Sequence, residues 1–130
     1  MKYLIDTSVI LELLLEQEGA DAAQNFLEQN VEFPIFISDF SLHSIGIILF
    51  RSGKSGRFAK FVEDAVEKGN LMVLGLVEAD MREVVRIHHS IGLDFDDAYQ
   101  CAIARKFGLK IVSLDRTPEC RVIPGKTGPR

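Results

Sequence analysis

The chain has no tryptophan, two cysteines, three histidines and no apolar run long enough to cross a bilayer. Each shortage excludes something. Its most apolar run, residues 45–50, is far below the roughly 20 residues a membrane helix needs. Cys101 and Cys120 lack metal-ligand spacing and are too few for a disulfide framework, so reduced thiols are expected. His43, His88 and His89 have no ligand partners at metal-binding spacing. His88 and His89, being adjacent, point different ways on a helix, so all three read as structural or exposed. Positive charge is also short: the formal net charge is −4, which argues against a polybasic membrane binder or a nucleic-acid coat. An enzyme with a local acidic site and a local basic rim still fits that sum. The opening Met1-Lys2-Tyr3-Leu4-Ile5 runs at once into Asp6 without a signal-peptide pattern, so a cytoplasmic protein with no membrane partner is expected.

What is present is an alternation. Length suits one domain with one core, expected over residues 1–124, with a flexible tail at residues 125–130. Lys2-Tyr3-Leu4-Ile5 reads as a buried strand, followed by a helix over residues 9–17 that Thr7 or Ser8 can cap. A second helix is expected over residues 21–30 and a second strand over residues 33–37. Ser38-Asp39 then caps an apolar helix over residues 40–50. Phe58, Phe61, Val62, Ala65 and Val66 recur with helical spacing. Leu71-Met72-Val73-Leu74 is a third strand, residues 78–91 a helix ended by Gly92, and residues 94–107 a helix ended by Gly108. Lys110-Ile111-Val112-Ser113-Leu114 is a fourth strand, and Arg121-Val122-Ile123 a candidate edge strand. Short apolar strands alternating with helices predict an α/β domain: a three-layer α/β/α arrangement around a central, mainly parallel sheet of four to five strands.

Carboxylates sit where such a sheet builds its sites. Asp6 follows the first strand, Asp39 the second and Asp115 the fourth, while Asp94, Asp96 and Asp97 crowd the start of the last helix. The carboxyl ends of parallel strands share one edge. Asp6, Asp97 and Asp115, distant in sequence, are thus expected to meet. Oxygen donors without thiol or imidazole suit Mg²⁺ or Mn²⁺, and such ions serve phosphodiester hydrolysis. Each acid alone has an ordinary reading: Asp94 and Asp97 as a helix N-terminus, Asp6 as a cap, Asp115 as a turn residue. It is their combination that favours a site. Arg51, Lys54, Arg57 and Lys60 could line a nucleic-acid path but read better as a solvated face. Gly53-Lys54-Ser55 lacks the earlier glycine of a phosphate-binding loop, since Ile48 stands there. A phospho-acceptor or phosphatase domain is set aside, because Gly75-Leu76-Val77 carries no acceptor Asp and Asp6-Thr7-Ser8 no second Asp.

These motifs resemble a family. Lys2-Tyr3-Leu4-Ile5-Asp6-Thr7-Ser8 is similar to the opening strand and Asp of PIN-domain ribonucleases. Phe95-Asp96-Asp97-Ala98-Tyr99-Gln100-Cys101-Ala102-Ile103-Ala104 resembles their Asp-Ala helix, and Lys110-Ile111-Val112-Ser113-Leu114-Asp115 the strand that ends in their late Asp. Order, spacing and length agree over nearly the whole chain, including with VapC-type toxins of toxin–antitoxin pairs. The resemblance implies Mg²⁺- or Mn²⁺-dependent RNA cleavage with Asp6, Asp97 and Asp115 as metal-holding catalytic residues and Thr7, Ser8 and Ser113 as neighbours. It also implies an antitoxin partner and a homodimer; the apolar face of Ile45, Ile48 and Leu49 reads mostly as core, with a subunit interface as its second use.

One departure stands out. The family carries a Glu in the helix after the second strand, and the alignment puts Ser44, or less well His43, at that place. Asp39 could replace it from a turn earlier, or Asp94 or Asp96 from the other side. Without such a replacement the alternative is a catalytically weak or inactive PIN-fold module that binds RNA or protein.

Overall fold

A computed structural model describes residues 2–16, 25 and 34–113 of the 130-residue chain. Strand β1, Tyr3–Ile5, leads through Asp6 into helix α1, Thr7–Leu14. Strand β2, Ile35–Ser38, leads directly into α2, Asp39–Arg51, and a short turn opens α3, Ser55–Phe61. The chain widens into a π-helical stretch, Val62–Glu67, and returns as β3, Leu71–Leu74. A 3-10 turn, Glu78–Asp80, precedes α4, Met81–Ile91. Helix α5, Phe95–Phe107, and strand β4, Lys110–Val112, complete the described elements.

All four strands are parallel, in the order β3-β2-β1-β4. Side chains alternate across β1. Leu4 joins one core cluster with Val84, Ile87, Ala98, Ala102 and Ile103 from α4 and α5. Ile5 joins the other, with Val9, Ile37, Ile45 and Leu49 from α1, β2 and α2. Two apolar clusters on opposite faces of one sheet make the three layers, and the expected α/β/α architecture is what the residues form. Leu4 and Ile5 are wholly buried, and each such side chain contributes about 1.5–3 kcal/mol.

Local chemistry sets the ends of the elements. The Ser38 hydroxyl accepts a hydrogen bond from the Ser41 amide at 2.8 Å and caps α2. Gly92 and Gly108 end α4 and α5 at φ of +73° and +68°, a left-handed conformation that glycine adopts without a Cβ clash. Helix α5 is buried along the whole of Ala98 to Ala104, with three alanines that let it lie close to the sheet.

Several expectations are corrected. Neither Thr7 nor Ser8 caps α1. The helix starts at Thr7, and Asp6 holds the capping position without a side-chain cap bond, because its carboxylate is engaged elsewhere. Asp94 likewise occupies the cap position of α5 with no side-chain cap bond. In α2, Ile45 and Leu49 are fully buried, as the core reading of that face expected, while Ile47 and Phe50 are the exposed apolar residues at 51% and 63%. Cys101 is disulfide-bonded, not a reduced thiol; spacing along the chain does not report distance in the fold. The expected helix over residues 21–30, the strand start at Phe33, Leu114, Asp115, Cys120, the strand at residues 121–123 and the tail lie outside the described residues, apart from Asn25.

Candidate functional site

The parallel register brings the carboxyl ends of β1, β2 and β4 to one edge, where Asp6, Ser38 and Ser113 follow one another. The last described step of that ladder is the Asp6 amide donating to the Val112 carbonyl at 2.9 Å. Helix α5 runs past the same edge and adds its first two turns.

Asp6 is the centre of the arrangement. Its Oδ2 accepts from the Ser8 hydroxyl at 2.9 Å and from the Ser113 hydroxyl at 2.8 Å. Its Oδ1 accepts from Nε2 of Gln100 at 2.7 Å. Three neutral donors thus hold the carboxylate in one orientation, and no cation among them spends its charge. Thr7 lines the cavity beside Asp6 and donates to the Ser41 hydroxyl, also on its wall, at 2.8 Å, tying α1 to α2.

Beside Asp6 opens a cavity of about 360 Å³. Its polar wall includes Asp6, Ser44, Asp96, Asp97 and Gln100, and Leu11, Phe40 and Ile48 give it an apolar side. Asp96, Asp97 and Gln100 share a helix face through their spacing of three and four residues. The Asp96 side chain also accepts from the Asp97 amide at 3.0 Å. Phe40 stands 5.7 Å from the ring of Phe95 and 5.6 Å from that of Tyr99.

Of the site residues expected from sequence, Asp6 and Asp97 line this cavity together and Asp115 lies outside the described residues. Ser44 is on the wall, and His43 is not. Asp39 is absent from it too: its Oδ1 accepts from the Tyr99 hydroxyl at 3.0 Å, and that hydroxyl accepts from the Leu76 amide at 3.1 Å. Of the acids considered as replacements at the Glu position, only Asp96 reaches the cavity. The basic residues are partly accounted for as surface structure: Arg57 donates to the Leu14 carbonyl and Lys60 pairs with Asp64 at 2.9 Å. His88 bonds through Nδ1 to the Leu93 carbonyl at 2.7 Å, a helix-end contact.

Gln100 is the residue that sequence reasoning passed over. The available signal was its place three residues after Asp97 and the only polar side chain from Ala98 to Ala104 apart from the Tyr99 hydroxyl.

The donors around the cavity are oxygens: carboxylates, hydroxyls and an amide. That set suits a hard divalent cation and not a thiolate- or imidazole-seeking metal. Among the described residues no group of three His, Cys, Asp or Glu stands ready to hold an ion, so they supply part of such a site in kind, not a complete carboxylate set.

The PIN domain family model matches residues 3–119. The chain belongs to the PIN domain family. Solved structures share the fold across most of its length. The Mycobacterium tuberculosis VapC20 toxin, described as sarcin-ricin loop cleaving, superposes with a TM-score of 0.73 at 16% identity, covering 88% of this chain and 90% of that one. A toxin–antitoxin complex from Klebsiella pneumoniae gives 0.72 at 18% identity, covering 95% and 93%. VapBC2 from Rickettsia felis, bound to a DNA fragment from its promoter, gives 0.71 at 14% identity, covering 88% and 89%. No curated protein matches the chain.

Proposed function

We propose that the protein is a divalent-metal-dependent endoribonuclease, the toxin of a toxin–antitoxin pair. The observation that carries this reading is the meeting of Asp6, from the end of β1, with Asp97, from the first turn of α5, on one oxygen-lined cavity. Asp6 and Asp97, with Asp115, are the residues that would hold Mg²⁺ or Mn²⁺. The ion, when bound, polarises a phosphoryl oxygen and lowers the pKa of water.

The chain's own groups have definite tasks. Ser8, Ser113 and Gln100 fix both oxygens of Asp6, so that no reorganisation is needed when substrate arrives. Asp96 and Asp97 bring negative charge to the N-terminal end of α5, where the helix dipole makes it less costly. The apolar side of the cavity, with Phe40 and Ile48, limits water around the reacting phosphate.

The fold shared with toxins solved in complexes supports an antitoxin as partner. Exposed Ile47 and Phe50 on α2 support a homodimer. No described helix is long and apolar enough to cross a membrane, in keeping with a cytoplasmic setting. The second reading, a PIN-fold module without turnover, is favoured by one observation: Ser44, a neutral side chain, occupies the α2 side of the cavity wall.

Cleavage of RNA by the purified protein with and without Mn²⁺, beside Asp97→Ala, decides between them. Metal-dependent cleavage is expected in the wild type, with a loss of at least about 100-fold in Asp97→Ala and an unchanged melting profile. Equal cleavage by both proteins would sink the nuclease reading; no cleavage by either would leave the binding module.

A further inference from the structure

Gln100 is nine-tenths buried, yet only half of its amide is used. Nε2 donates to Asp6 at 2.7 Å, while Oε1 is closed to solvent and has no hydrogen-bond partner among the described residues. The orientation of the amide is set by chemistry. Asp6 accepts two hydroxyl donors on its other oxygen, so it acts as an acceptor, and only the nitrogen of Gln100 can face it. The unpartnered atom is therefore the oxygen. A buried carbonyl oxygen left without a partner costs about 1–3 kcal/mol, and an ion or a water is the usual reason for one in a folded protein.

We propose that Gln100 Oε1 is a neutral oxygen ligand to a divalent cation held at the Asp6–Asp97 cavity. The proposal rests on the metal-dependent reading above and adds a donor to it. Four features point the same way. Gln100 lines the same cavity as both carboxylates. It shares a helix face with Asp97. Its amide already clamps Asp6, so one side chain touches a carboxylate and offers a second oxygen beside it. The described acids do not complete a ligand group by themselves, and amide carbonyls are ordinary ligands for hard cations.

A neutral ligand also avoids a charge conflict with Asp6. A carboxylate at position 100 would face Asp6 across 2.7 Å and repel it; an amide bonds to it instead.

The test is Mn²⁺ titration by calorimetry, with thermal melting with and without Mn²⁺, on wild type, Gln100→Met, Gln100→Glu and Asp97→Asn. Gln100→Met keeps the volume and burial but removes both polar atoms. Its Mn²⁺ affinity is expected to fall by about tenfold or more, with its metal-free melting temperature close to wild type. Gln100→Glu is expected to melt lower than wild type without metal, and to regain more on adding Mn²⁺ than wild type gains, because the ion binds the folded state with one more charge. Wild-type Mn²⁺ affinity in Gln100→Met, or a Gln100→Glu protein that Mn²⁺ does not rescue, overturns the ligand role. If Asp97→Asn at the same time loses the ion, the metal reading stands without Gln100 as a ligand. If the wild type itself takes up no Mn²⁺, both fall together.

Discussion

Asp6 and Asp39 each follow a parallel strand directly, but the register sets Asp6 beside Ser38 and leaves Asp39 one residue further on, and their surroundings differ. Each is the residue immediately after a strand, in neighbouring parallel strands, at the same edge of the sheet. Each is gripped by helix α5, and by consecutive residues of it: Gln100 donates to Asp6 and Tyr99 to Asp39. Consecutive residues of a helix point about 100° apart, so one helix reaches two carboxylates on different sides. Around Asp6 the donors are small or neutral, and a cavity remains open. Around Asp39 a phenol closes the space, and a Cβ built at Gly75 would lie only 2.5 Å from Oδ2. The strand topology delivers a carboxylate to the edge; the side chains of the next layer decide whether a cavity stays open beside it or it becomes a fastening.

Removing each acid in turn separates the two roles most strongly. Asp6→Ala is expected to lower RNA cleavage by at least about 100-fold with the fold retained. Asp39→Ala should leave cleavage within a few-fold and instead reduce stability by about 1–3 kcal/mol, since the Tyr99 hydroxyl loses its acceptor. Cleavage assays at a temperature where both variants are folded, with urea melts beside them, give both readouts. If Asp39→Ala loses cleavage while folded, the two acids belong to one site and the distinction is wrong.

A smaller effect isolates the fastening from the chemistry. Gly75→Ala places a methyl group 2.5 Å from Asp39 Oδ2 and 3.0 Å from its Cγ, so the carboxylate must shift and its bond from Tyr99 is strained. A cost of about 1–3 kcal/mol is expected. In the Asp39→Ala background the same substitution has nothing to collide with, and the two losses should add to less than their sum. Strict additivity in denaturation would show that the clash lies elsewhere.

The comparison also marks what a sequence can and cannot show. The meeting of Asp6 and Asp97 was legible, because parallel strands deliver their ends to one edge and the acidic helix start reaches that edge when its chain returns through the sheet. Strand β3 was readable to the residue at Leu71–Leu74, and Gly92 and Gly108 announced the helix ends. The fate of Asp39 was not legible: it depends on Tyr99, 60 residues away, and on a glycine whose only role is to have no side chain there. Gln100 was hidden for a related reason. A glutamine in an apolar helix announces neither a bond to a carboxylate nor an oxygen left over. In α2 the spacing of Ile45 and Leu49 marked the buried face, while the exposure of Ile47 and Phe50 had no signal in an otherwise apolar helix.

The gentlest test of the fastening uses alkaline pH. Burial is the main reason that the Tyr99 hydroxyl ionises above its ordinary range, the neighbouring Asp39 charge adds to it, and the Leu76 amide works against it. In the unfolded chain a tyrosine ionises near pH 10. Below that value both states keep the proton, and the contribution of Tyr99 is fully present. Above it the unfolded chain gives up its proton while the folded chain retains it, so stability falls as pH climbs from about 10 toward the folded value. Tyr99→Phe is expected to cost about 1–2 kcal/mol at neutral pH, from two lost hydrogen bonds, and to flatten that alkaline decline. Tyr3, the other tyrosine of the chain, is common to both proteins, so the difference between their slopes belongs to position 99. Parallel slopes in urea melts between pH 9 and 11 (an interval of about one unit on each side of the unfolded value) would mean that the phenol is not held protonated by its buried bond to Asp39.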